Sequence, residues 1–189
     1  MIKIEEIISL KEAELLLLFE AFQAKWQRLI KPLDFSRFCQ LYGTLDSKEQ
    51  LYRVTDEGKL AGIFGLSGKF SDRKVTYTGK KQLKNWRWYL GARLLDDQIK
   101  PNECYLSFIT VAKDYRGKGV GTMCLNYIET YAKSIVDVDC VTLFVATSNE
   151  QATKLYQSKG YQIINEVSSL LTGHFVGERC WKKMKKKIK

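Results

Sequence analysis

Over residues 104–133 the chain runs from an apolar, β-branched stretch through Arg116-Gly117-Lys118-Gly119-Val120-Gly121-Thr122 into a helical pattern, and no other stretch restricts the fold as tightly. Residues 105–111 are rich in aromatic and β-branched side chains, as expected of a strand buried on both faces. From there on, Val120, Cys124, Tyr127, Ile128, Tyr131 and Ile135 keep the three-four spacing of a helix with one buried stripe. A turn between such elements exposes amide N–H groups that have no carbonyl partner in the helix, and the aligned peptide dipoles put partial positive charge at the same end. Glycines at 117, 119 and 121 let the backbone approach an anion without Cβ obstruction, while Arg116 and Lys118 add full charges. The turn is suited to phosphate, with each charge-assisted hydrogen bond contributing about 1.5–3 kcal/mol.

Spacing separates the phosphate-binding readings. A P-loop needs G-x-x-x-x-G-K-[ST], but Lys118 precedes the last glycine and Thr122 has no lysine before it. The dinucleotide pattern G-x-G-x-x-G is not met by glycines at 117, 119 and 121, although Asp137 and Asp139 lie about twenty residues on. The string does fit R-x-x-G-x-G, which resembles the acetyl-CoA pyrophosphate loop of the GCN5-related N-acetyltransferase (GNAT) family. A second apolar strand is expected at residues 138–146, followed by Asn149 and a helix bearing Ala152, Leu155 and Tyr156 that ends at Gly160-Tyr161. This string is similar to the same family's N-x-x-A-x-x-L-Y-x-x-x-G-[FY]. The resemblance is clearest over residues 104–164. It implies a single α/β (α+β) domain over residues 1–189, with a mixed central sheet of about seven strands flanked by helices.

Other parts of the sequence narrow the chemistry. A single histidine, His174, leaves no standard zinc ligand set, so no metal is expected. Gly173 and Gly177 flank it and predict a hairpin, in which His174 is either an exposed loop residue or a contributor to acceptor binding. The five cysteines at 39, 104, 124, 140 and 180 are scattered through mostly apolar patterns and read as reduced core residues, which points to the cytoplasm. No apolar run approaches the roughly twenty residues of a membrane span.

Along the chain, a first strand over residues 1–7 precedes a helix in which Ser9 is the expected N-cap and Glu12 completes a capping box, with Pro32 closing it. Asp34 caps a second, short helix to residue 41, and residues 51–55 and 60–66 form a hairpin around Asp56-Glu57-Gly58-Lys59. Residues 68–102 form an insert between the third and fourth strands that departs from the family layout. It is dense in lysine and arginine, with a helix expected at 84–95 that carries Trp86, Trp88, Tyr89 and Leu90. Such a segment can bind nucleic acid, but a solvated basic face over packed aromatics, bordering the acceptor site, is preferred. The last two strands are expected at 162–170 and 177–184, and residues 182–189 read as a basic tail that supplies much of the net charge of +10.

The resemblance implies that acetyl-CoA is the co-substrate. Its pantetheine arm would lie along Ile109, Thr110 and Val111, and its pyrophosphate on Arg116, Gly117, Lys118, Gly119, Val120, Gly121 and Thr122. Asn149 would contact the pantetheine region, and Tyr156 would stand near the thioester sulfur as a proton donor to the thiolate. The implied reaction is direct attack by a primary amine, on a small molecule or a protein. The other reading is a non-catalytic acyl-CoA-binding module that contacts RNA or an acidic partner through the basic insert and tail. A homodimer is left open. An amine of pKa about 10.4 is mostly protonated at pH 7, and freeing its lone pair costs about 4–5 kcal/mol. Glu103, Tyr105 and Ser107 share one strand face. Because Tyr105 stands where family members often place a carboxylate, Glu103 is the expected base, directly or through water. Glu12, Glu14 and Glu20 are candidates for drawing a cationic acceptor to a positive protein.

Overall fold

The computed structural model describes residues 1–29, 32, 34–42, 49–71 and 99–189. The helix expected at 84–95 and most of the insert around it lie outside these. Seven strands, β1 (Ile2–Ile7), β2 (Gln50–Asp56), β3 (Lys59–Ser67), β4 (Glu103–Val111), β5 (Cys140–Ala146), β6 (Gln162–Ser168) and β7 (Cys180–Lys187), form one sheet in the order β1-β2-β3-β4-β5-β7-β6. All neighbours run antiparallel except β4 and β5. The mixed sheet of seven strands is as the sequence predicts.

Two cores sandwich the sheet. Helices α4 (Val120–Ser134) and α5 (Glu150–Ser158) cover one face, packing Val120, Cys124, Leu125, Ile128 and Tyr156 against Phe64, Leu106, Val141 and Leu143. Helices α1 (Glu12–Ala21), α2 (Gln23–Leu29) and α3 (Phe35–Tyr42) cover the other, where Phe38 and Trp26 meet Leu51, Ile63 and Phe108.

Local chemistry sets several element ends. The β2–β3 turn puts Glu57 at φ 49° and Gly58 at φ 80°, the two positive φ values of a two-residue hairpin turn. Asp34 caps α3 as expected, its carboxylate accepting the Arg37 N–H at 2.7 Å. The first helix differs from expectation: it starts after Lys11 rather than Ser9, because Glu14 rather than Glu12 folds back onto the N-cap amide. Glu14 is 2% exposed and pairs with Arg53 on β2 at 2.9 Å, so it is not available to attract a cation. The helix also breaks at Phe22, whose ring meets Phe108 while the Trp26 indole donates to the Leu18 carbonyl.

The C-terminal lysine run is a strand rather than a solvated tail. Only Met184 of β7 is fully buried, and Lys182, Lys183, Lys185 and Lys186 are half-buried, laying their stems on the sheet. Lys186 pairs with Glu129 of α4 at 2.6 Å, and the Lys183 ammonium stands over the Phe144 ring. The expected hairpin around His174 is instead a short helix, α6 (Leu170–Phe175), N-capped by Ser169, between β6 and β7. His174 is exposed at its end, and its carbonyl accepts from Arg28 of α2 at 3.4 Å. Three of the cysteines, 104, 124 and 140, are buried as expected, whereas Cys180 lies exposed at the start of β7. No helix among the described residues is long and apolar enough to cross a membrane.

Candidate active site

The sheet opens at its centre. Parallel pairing between β4 and β5 runs only from Glu103 opposite Cys140 to Leu106 opposite Leu143. Past that point β5 stays with β7 as far as Ala146, and β4 stays with β3, so the two parallel strands part. A bulge marks the parting: Leu106 faces Leu66 and Phe108 faces Gly65, leaving Ser107 without an opposite residue on β3. The extra residue reverses the alternation, so Leu106 and Ile109 both pack towards α4 while Phe108 packs towards α1 and α2. Ile109, Thr110 and Val111 therefore present one strand edge to the gap, where an extended ligand can add as a strand does.

The glycine turn stands at the open end of this gap. Gly117 and Gly119 have φ of 75° and 79°, and a Cβ on either would meet no protein atom within 4 Å. Their positive φ favours glycine, and the space before them is open to a ligand. Gly121 does different work from the other two: a Cβ there would come to 3.2 Å from Leu155, so it lets α4 pack closely on α5. Gly119 caps α4, and its carbonyl takes the Met123 N–H at 3.0 Å, leaving the amides of Val120, Gly121 and Thr122 ahead of the helical ladder. Val120 is buried and anchors this end, so it offers a backbone rather than a side-chain contact. Arg116 spends one of five guanidinium donors on the Val111 carbonyl at 3.2 Å, tying the turn to the end of β4. The Lys118 ammonium sits over the Tyr115 ring, 5.6 Å from its centre.

On the far side, Asn149 caps α5, its side-chain oxygen accepting the Ala152 N–H at 3.1 Å; its amide nitrogen is the end left for a ligand. Tyr156 is 5% exposed, with its ring beside Tyr161. Burial, with the Cys124 thiol beside it, pushes its hydroxyl up to about 12, so it is a neutral donor at physiological pH. Glu178, between α6 and β7, accepts from the Ser148 hydroxyl and the Arg179 and Cys180 amides, and these bonds lower its pKa. It ties the loop after β5 to the start of β7.

The carboxylates are placed unequally. Glu103 lies at the closed end of the pairing, 3% exposed, and accepts from the Thr142 hydroxyl at 3.4 Å. Four residues of strand, about 13 Å, separate it from the bulge. Tyr105, between them, sets its ring edge-on to Phe144 of β5. At the bulge itself the carboxyl is that of Glu49, just ahead of β2, which bonds the Ser107 hydroxyl. Nothing local in Lys48-Glu49-Gln50 distinguishes it from an ordinary loop acid; only the pairing of β2, β3 and β4 brings it there.

A central pair of parallel strands parts at a bulge, with a glycine-rich helix N-terminus at the open end of the gap, so one strand edge and a set of free amides face the same opening. The chain belongs to the acetyltransferase (GNAT) family, whose model matches residues 13–161. No curated protein sequence matches the chain. Solved structures do. An acetyltransferase of Bacillus subtilis in complex with CoA matches with a TM-score of 0.63 at 13% identity, over 99% of each chain. Mutant forms of the spermidine/spermine N-acetyltransferase of Vibrio cholerae match with a TM-score of 0.60 at 17% identity, over 100% of this chain and 95% of that one. The ribosomal-protein-S18-alanine N-acetyltransferase of Escherichia coli matches with a TM-score of 0.52 at 19% identity, over 100% of this chain and 94% of that one.

Proposed function

We propose that the chain transfers an acetyl group from acetyl-CoA to a primary amine by direct attack, without a covalent enzyme intermediate. The observation that carries this reading is the parting of β4 and β5 after Leu106 and Leu143, with the amides of residues 120–122 at its open end. In this reading the pantetheine arm adds along Ile109, Thr110 and Val111. The pyrophosphate takes the amides from Gly117 to Thr122 together with the Arg116 and Lys118 charges. Asn149 holds the arm from the α5 side. Structural neighbours named for spermidine/spermine and for a ribosomal-protein alanine support an amine acceptor on a small molecule or a protein.

Tyr156 is assigned to the leaving group. Full transfer of a proton from a hydroxyl near 12 to a thiolate of pKa about 8.5 is uphill by about 5 kcal/mol. Its contribution is therefore a hydrogen bond to the developing thiolate, which takes its proton from the attacking nitrogen. Tyr156→Phe is expected to lower kcat about tenfold while leaving the acetyl-CoA dissociation constant within twofold. Steady-state thiol release alongside calorimetric titration measures both, and an unchanged kcat removes the role.

The reading as a whole is tested by incubating the chain with acetyl-CoA and a cell extract and searching for acetylated products by mass spectrometry. Acetyl-CoA binding without any acetylated product would support a non-catalytic acyl-CoA module instead.

A further inference from the structure

On the face of β4 away from α4 lies a hydrogen-bonded chain that the donor site leaves unused. The hydroxyls of Ser67 on β3 and Ser107 at the bulge are 3.0 Å apart, and Ser107 also bonds the Glu49 carboxyl. Among the described residues, the titratable groups facing that carboxyl are Lys25 from α2 and Tyr42 from α3. Both Lys25 and Glu49 are strongly desolvated by the protein around them, yet each residue keeps partial solvent access. The Lys25 ammonium stands 4.8 Å from the centre of the Trp26 ring; Trp26 meets Phe22, and Phe22 meets Phe108 beside the bulge where β4 and β5 part.

Resting on the transfer reading above, we propose that Glu49 is the proton acceptor for the incoming amine, held by Ser107 at the point where β4 and β5 separate. The carboxylate takes one proton from the ammonium form and frees the nitrogen lone pair. The nitrogen then bonds to the acetyl carbonyl carbon, the carbon–sulfur bond breaks, and the second nitrogen proton passes to the CoA thiolate. Glu49 afterwards returns its proton to solvent. Burial raises its pKa above the usual carboxyl range, while the Ser107 bond and the Lys25 charge pull it part of the way back. A raised pKa makes the carboxylate a stronger base. Glu103, four residues down the strand at the closed end of the pairing, lacks this access to the gap.

The test follows thiol release from acetyl-CoA by the full chain, from pH 5 to 10, with spermidine, a lysine peptide and an alanine-terminated peptide as acceptors. With the best of these, Glu49→Gln is expected to lower kcat about 100-fold at pH 7. The acetyl-CoA dissociation constant stays unchanged. The acidic limb of the wild-type profile disappears, and the deficit shrinks as pH nears the amine's own pKa, about 10.4 for lysine. Glu49→Asp restores part of the rate. Lys25→Met moves the limb to higher pH, since losing the cation raises the carboxyl further, and this variant decides the matter if Glu49→Gln does not fold. A Glu49→Gln kcat within threefold of wild type, or a limb that Lys25→Met leaves in place, overturns the assignment and leaves the transfer reading standing. A wild-type chain that binds acetyl-CoA yet acetylates none of the amines overturns both.

Discussion

Replacing Gly119 by valine is expected to raise the acetyl-CoA dissociation constant about 100-fold, or close to 3 kcal/mol. The loss has two sources that act on the same amides. At φ 79° a β-branched residue is strained, so the turn relaxes and re-aims the N–H groups of residues 120–122. The added side chain also projects into space that no protein atom fills within 4 Å, where the ligand's phosphates would lie. Loss of one or two charge-assisted hydrogen bonds, at about 1.5–3 kcal/mol each, accounts for the magnitude. Gly58→Val separates strain from binding, because Gly58 has the same sign of φ (80°) and open surroundings but sits in the β2–β3 turn, outside the 116–122 turn. It should cost stability alone. Isothermal titration of both variants decides, and a Gly119→Val affinity within threefold of wild type contradicts the pyrophosphate assignment.

The other large effect concerns the scaffold. Arg53→Leu is expected to remove about 3–5 kcal/mol of folding stability, since it strands the Glu14 carboxylate, 2% exposed, without the cation 2.9 Å away. Much of that loss is the penalty of an unpaired buried charge rather than the worth of the pair. Replacing both residues by leucine should therefore recover most of it. Urea denaturation of the single and double variants provides the measurement. A double variant no more stable than the single one would mean that lost packing around Arg53, rather than the orphaned charge, dominates.

How far the sequence could be read depended on whether the relevant chemistry was local. The turn at 116–122 was legible because positive-φ glycines, a helix N-terminus and two cations are consecutive in the chain, and their geometry follows from backbone rules. Gly121 has a further role that no local pattern records, a close contact with Leu155 on another helix. The lysine run misled for a related reason. Its charge said solvent, but the buried Met184, an aromatic ring under Lys183 and the Glu129 carboxylate beside Lys186 let it serve as an inner strand. The helix start moved from Ser9 to Lys11 because Glu14 is recruited from across the domain by Arg53 as well as by the cap.

The sequence by itself determined the family and the strand, turn and helix proposed to hold the donor. Strand, glycine turn and helix are contiguous there, and the groups they present to the gap are mostly backbone. Only the tertiary structure decided where β4 and β5 part, that a bulge stands at Ser107, and that Glu49 and Lys25 gather beside it. Those residues lie on separate elements of ordinary composition. Their proximity comes from strand register and helix packing, which no local pattern records.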